Sequence, residues 1–183
     1  SENKKLQQKL CKTVHFRAAL SLHDRTINVV RFRKVSQLEQ HRSLTKNRHD
    51  LLLASASDDG VVFVWKREEI NDVGTSSTLN PFAQEGEHNK ETWKVYKRLS
   101  GHPEDVCDIS WHPNGNRLVS VSFDRSIIIW DVHQAKQLQR LMHHTHFVQG
   151  VCFDFLTGQL IASQSSDRTL RIYSPRKRKN AAS

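Results

Sequence analysis

Histidine, serine and aspartate recur together at three places in this chain. His23, His102 and His144 each stand nine residues before an aromatic residue, Phe32, Trp111 or Phe153. Downstream come "LLASASDDG", "LVSVSFDRS" and "IASQSSDRT", which set serines close to Asp59, Asp124 and Asp167. Drawn together, these three residue types are the parts of a hydrolase triad: a nucleophile, a general base and the carboxylate that orients the base. An enzyme needs that constellation once, exposed in a cleft beside an oxyanion hole. Three copies at one spacing point instead to a repeated structural unit. The chain has no GxSxG elbow, no glycine-rich phosphate loop and no HExxH, and only seven glycines in all, so no catalytic residue is assigned. The cluster His143, His144 and His146 lacks further ligands at zinc spacing. Neither a metal nor a cofactor is expected.

The elements that must position these residues follow from the same spacing. Asp59, Asp124 and Asp167 each precede an aromatic residue by six, Trp65, Trp130 and Tyr173. Between them lie apolar runs such as "VVFVW" and "SIIIW". Each unit reads as a strand, a tight turn at the aspartate and a second strand. Another strand follows each histidine, starting near Ile27, Val106 or Val148. "WKVYKRL" (93–99) and "KQLQRLM" (136–142) supply a fourth, outer strand, and "VHFRAALSL" (14–22) could play the same part upstream. The expected strands lie near 27–32, 51–57, 61–65, 93–99, 106–111, 117–122, 126–130, 137–141, 148–153, 159–164 and 169–173. Polar stretches at 33–50 and 67–91 read as insertion loops within a unit spanning 14–174. A basic segment, 1–13, precedes that unit and a basic tail, 175–183, follows it.

Composition narrows the class. The 183 residues suffice for one domain with a core, and no apolar run approaches the ~18 residues of a membrane span. Cys11, Cys107 and Cys152 form no CxxC pair. They suit a reducing compartment, with Cys107 and Cys152 as packing residues. The net charge of +9 is uneven: residues 1–50 carry 12 Lys and Arg against 4 Asp and Glu, residues 51–150 carry 10 against 13, and residues 151–183 carry 6 against 2. The basic ends suit a nuclear or DNA-proximal setting. Arg176, Lys177, Arg178 and Lys179 in "SPRKRKN" are a candidate nuclear-import tail. Glu104 and Asp105 are candidate partner-facing residues on the acidic middle of the chain.

Four strands in roughly 40–45 residues is the period of a propeller blade. With "GH" at Gly101-His102 and "WD" at Trp130-Asp131, the repeats resemble WD repeats. The resemblance implies an all-β WD-repeat β-propeller, with about three four-stranded blades present of the seven usual in the family. That shortfall implies a fragment of a longer propeller, or blades supplied from elsewhere. It also implies a structural hydrogen-bond network in each blade: His23-Ser55-Asp59-Trp65, His102-Ser120-Asp124-Trp130 and His144-Ser163-Asp167, with Tyr173 in the place of tryptophan. Ser57, Ser122 and Ser165 share the side-chain parity of the named serines and are alternatives to them.

A finer resemblance lies in "NKETWKVYKRLSGHPEDVCDISW" (89–111), "HFVQGVCFD" (146–154) and "SDRTLRIYS" (166–174). These segments are similar to the propeller subunits of chromatin assembly factor 1. The related histone-regulator propellers share a "VWKR"-like strand end followed by a long insertion. Val148-Gln149-Gly150 and the insert before Trp93 favour the former. The resemblance implies a nuclear, non-catalytic scaffold in a histone chaperone complex, assisting deposition of new core histones onto DNA during replication and repair. The implied partners are the large subunit of the assembly factor, core histones and an upstream histone chaperone, with indirect or weak DNA contact, no membrane and no small-molecule substrate. The alternatives are a generic WD-repeat adaptor in a ubiquitin-ligase or RNA-processing complex, and a replication-independent histone-regulator propeller.

Overall fold

A computed structural model describes residues 18–34, 51–68 and 92–175. Among these residues all regular structure is strand: β1 (Ile27–Phe32), β2 (Leu52–Ser57), β3 (Val61–Glu68), β4 (Thr92–Ser100), β5 (Val106–Trp111), β6 (Arg117–Ser122), β7 (Ile127–Asp131), β8 (Lys136–Leu141), β9 (Val148–Phe153), β10 (Ile161–Ser165) and β11 (Leu170–Tyr173). They form three antiparallel sheets, ordered β1-β2-β3-β4, β5-β6-β7-β8 and β9-β10-β11. This is a partial β-propeller.

The second and third strands of the first two sheets are buried on both faces, because the second sheet lies between its neighbours and the first is covered on its outer face by Leu20 and Trp93. Val62, Val64, Ala54 and Ala56 of the first sheet share one buried cluster with Ile109, Leu118, Ile128 and Trp130 of the second. Ile127, Ile129, Val119 and Val121, on the second sheet's other face, pack with Val148, Val151, Phe153 and Ile161 of the third. The outer strand β8 is largely exposed up to Arg140 and polar, as suits an edge. The outer face of the third sheet is open among the described residues. Leu170 and Ile172 occupy the places of Ile127 and Ile129, yet are 68% and 64% exposed against 1% and 3%.

Each first strand carries a bulge at one address. Asn28, Cys107 and Gln149 are skipped in the pairings of β1 with β2, β5 with β6 and β9 with β10. The bulge re-aims the entry of each sheet, and single-strand periodicity does not reveal it.

Several expectations need correction. Residues 18–22 form no strand; Leu20 packs against Val61, Phe63 and Trp65 instead, while 14–17 lie outside the described residues. The third sheet has three strands among the described residues, not four. β3 runs on to Glu68, pairing Arg67 with Trp93 and Glu68 with Thr92, so residues 67 and 68 belong to a strand rather than to the 67–91 loop. β10 starts at Ile161, because residues before it close a turn in which the Asp154 N–H donates to the Leu160 carbonyl at 2.8 Å. Cys152 is exposed rather than packed, while Cys107 is half-buried. Cys11, most of 33–50 and the whole of 1–13 lie outside the described residues.

Candidate functional site

The three hairpin turns, β2–β3, β6–β7 and β10–β11, lie at one end of the sheets beside the segments that lead into β1, β5 and β9. Backbone bonds hold each turn to its leading segment: Asp58 N–H to Thr26, Phe123 N–H to Asp105 and Ser166 N–H to Phe147, at 3.0–3.1 Å. Each turn needs a left-handed residue, and the chain places Gly60, Arg125 and Arg168 there with φ of 76°, 68° and 66°. At Gly60 a side chain is also excluded by space, since a Cβ would lie 2.6 Å from the His102 carbonyl oxygen.

The turn aspartates, the leading histidines and the second-strand serines meet in all three sheets. His23 Nδ1–H donates to Asp59 at 2.8 Å, and Nε2 lies 2.8 Å from Ser55 Oγ. For His102 the corresponding distances to Asp124 and Ser120 are 2.9 and 2.8 Å. For His144, Asp167 and Ser163 are both at 2.8 Å. Trp65 and Trp130 Nε1–H donate to Ser55 and Ser120 at 2.9 and 2.8 Å. In the third sheet the Tyr173 hydroxyl is buried without a hydrogen-bond partner. In this geometry Ser55, Ser120 and Ser163 are the serines that face the imidazoles. Ser57, Ser122 and Ser165 instead accept the N–H of Asp59, Asp124 and Asp167 at 3.1–3.2 Å and shape the turn.

Electrostatics follow from this wiring. Burial alone would raise the Asp124 carboxyl, but hydrogen bonds from His102 and Ser126 outweigh it and hold the group far below the ordinary range. Asp167 is likewise pushed up by burial and held well down by Thr169 and His144. Asp59 is lowered less, with His23 and the Val61 N–H opposing burial. Burial raises the Tyr173 phenol.

Sequence reasoning missed several participants. Ser126 Oγ lies 3.2 Å from His102 Nδ1, and Thr169 Oγ1 lies 3.3 Å from His144 Nδ1. A hydroxyl two residues after the aspartate, in "DRS" and "DRT", was the available signal. Arg140 on β8 donates to Asp124 at 3.0 Å and to the Gly101 carbonyl at 2.8 Å, a contact between distant segments that carries no local signal. Asp108 joins all three sheets, accepting from Arg31 at 3.2 Å and from the Val151 N–H at 3.1 Å.

The atoms are connected as in a hydrolase relay, from carboxylate to Nδ1 and from Nε2 to hydroxyl. However, Ser120 is fully buried and already accepts an indole N–H, so no substrate carbonyl can reach it. What the wiring does is satisfy buried polar groups and lock strand register. Of the other candidates, Glu104 is exposed and Asp105 half-buried on the segment leading into β5. His144 is held within its network and His143 stacks on Tyr173 at 5.6 Å. Arg176, Lys177, Arg178 and Lys179 lie outside the described residues.

Sheets wired through a His–Ser–Asp–Trp chain and stacked face to face are blades of a WD-repeat propeller. The model of the CAF1B/HIR1 β-propeller domain matches residues 3–183, and the chain belongs to that family. It is 38% identical to a mouse subunit of chromatin assembly factor 1 over 92% of this chain and 26% of the mouse protein. It is 35% identical to the corresponding chromatin assembly factor 1 subunit of Saccharomyces cerevisiae over 88% of this chain and 33% of that protein. Protein hir1 of Schizosaccharomyces pombe is 35% identical over 84% of this chain and 14% of its own length. The chain thus spans about a third or less of these relatives.

Proposed function

We propose that this chain is a non-catalytic interaction scaffold of a histone chaperone complex, assisting deposition of new core histones onto DNA in replication- and repair-coupled nucleosome assembly. The observation that carries this reading is the family match across 3–183, joined to relatives named for chromatin assembly. Its only Ser-His-Asp groups among the described residues are consumed in holding the blades, which supports binding rather than turnover. The partners are the large subunit of the assembly factor, core histones and an upstream chaperone, in the nucleus. DNA contact is indirect or weak, and no cofactor takes part. Glu104 and Asp105 face partners, and the 176–179 tail serves import.

The test is a pull-down with core histones and the large subunit as prey. Capture of both is expected, with association slowed first by added salt, because charge governs encounter rate more than affinity. Capture of neither, alongside binding to a ubiquitin-ligase or RNA-processing complex, would overturn the reading. A replication-independent histone-regulator role is the second reading, favoured by the match to hir1. It predicts histone capture without large-subunit capture.

A further inference from the structure

Adjacent blades meet at the hairpin end through one residue from each. At the junction of the second and third sheets these are Phe123, in the β6–β7 turn, and Phe147, just before β9. Their rings lie 4.9 Å apart at 63°, and both remain exposed, at 44% and 37%. The same two addresses at the preceding junction are taken by Asp58 and Asp105. One junction is therefore apolar and the next acidic, with Glu104 exposed beside it.

The two junctions touch. The Phe123 N–H donates to the Asp105 carbonyl at 3.0 Å, and the Ser122 hydroxyl donates to the Glu104 carbonyl at 3.2 Å. The Phe147 carbonyl is held by the Ser166 N–H and the Ser165 hydroxyl, at 3.1 and 2.9 Å. Among the described residues no ion pair engages Asp58, Glu104 or Asp105; Asp108 pairs with Arg31 and Asp124 with Arg140. The negative field is felt inside: the Cys107 thiol is pushed up to about 12, by burial first and then by Asp105, Asp108, Asp58 and Asp124.

We propose that the Phe123–Phe147 pair and the adjoining Asp58, Glu104 and Asp105 form a docking surface for an extended, lysine- or arginine-rich peptide segment carrying one apolar anchor side chain. The anchor covers the two rings, and the cations lie over the acidic junction. Aromatic anchors ringed by complementary charge are the arrangement that concentrates binding energy. Backbone pinning of both loops reduces the ordering cost on binding. Arg25, Arg125 and Arg168 are exposed at the same end, so the attractive field is confined to the Asp58–Asp105 junction and the peptide is oriented by it. A nucleic-acid strand could stack on the rings, but the carboxylates would repel its phosphates. The inference rests on the reading above, in which the cargo is basic protein.

The test is titration of the 183-residue chain with a synthetic lysine–glycine peptide bearing one central leucine, against a single-stranded oligonucleotide and folded core histones. Phe123→Ala with Phe147→Ala should weaken peptide binding by about tenfold. Glu104→Gln with Asp58→Asn should weaken it by about fivefold and flatten its salt dependence. Arg125→Asn, which tolerates positive φ, should tighten it. All variants should keep the thermal unfolding of the parent, and Glu104→Gln alone serves should any core-adjacent change disturb folding. Peptide affinity unmoved by both pairs of changes, or displacement of the peptide by the oligonucleotide, would overturn the docking surface even if histone capture persists. Phenylalanine-dependent peptide binding without histone capture would uphold it while sinking the proposed cargo.

Discussion

Replacing His102 by alanine should cost more stability than the same change at His144. His102 contacts Asp124 at 2.9 Å, Ser120 at 2.8 Å and Ser126 at 3.2 Å. Asp124 and Ser126 share the single Nδ1–H, so two full bonds at about 1 kcal/mol each give about 2 kcal/mol, with a cavity to add. His144 makes a matching set with Asp167, Ser163 and Thr169. Its loss, however, frees Ser163 next to a buried hydroxyl, that of Tyr173, which has no partner. Pairing of those two groups recovers one of the two bonds, which leaves about 1 kcal/mol. In the second sheet no such orphan is available, because Trp130 already donates to Ser120. Urea unfolding followed by tryptophan fluorescence measures both, with unchanged slope required for the comparison. Equal losses, or a larger loss at His144, would refute the reasoning.

Tyr173→Trp should stabilise the third sheet by about 1 kcal/mol by supplying the missing N–H donor, and no gain in urea midpoint would count against it. Because Asp59, Asp124 and Asp167 are depressed in the folded state, their contribution is complete above the unfolded carboxylate value of about 3.9 and drains as pH falls through the folded values. Urea midpoints should thus be flat from pH 7 to about pH 5 and drop below about pH 4; a midpoint rising on acidification contradicts this. Arg125→Gly should add about 1 kcal/mol by relieving a positive φ, whereas Gly60→Ala should destabilise, since its Cβ would strike the His102 carbonyl; thermal unfolding separates the two. Exposed Cys152 should react with a thiol reagent at pH 8 in the native protein. Cys107, with its thiol at about 12, should react only on unfolding, as quenched mass spectrometry would show.

Strand placement was legible because the blade repeats its register. Fixed distances from histidine to aspartate to aromatic residue constrain each hairpin, and β1, β5, β6 and β9 fall where the spacing puts them. Elsewhere spacing was silent. The continuation of β3 to Glu68 depends on β4 arriving as its partner after a long insertion. Leu20 leaves strand pairing to cover Val61, Phe63 and Trp65, a choice made by packing and not by propensity. Cys152 looked like a packing residue, but strand alternation at β9 turns it to the open side.

The wiring of the blades divides the same way. Residue types at recurring positions determined that His23, His102 and His144 belong with an aspartate and a serine, since buried polar groups must find partners within their own repeat. Which serine answers was undecided by parity alone, because residues two apart in a strand share a face. Tertiary structure decided it: Ser55, Ser120 and Ser163 lie one step deeper than the turn, where the imidazole Nε2 ends. It alone placed Arg140 on Asp124, Asp108 among three sheets and Phe123 on Phe147. The first joins an edge strand to the hairpin of its own blade; the other two join different blades, and only the stacking of twisted sheets brings such positions together.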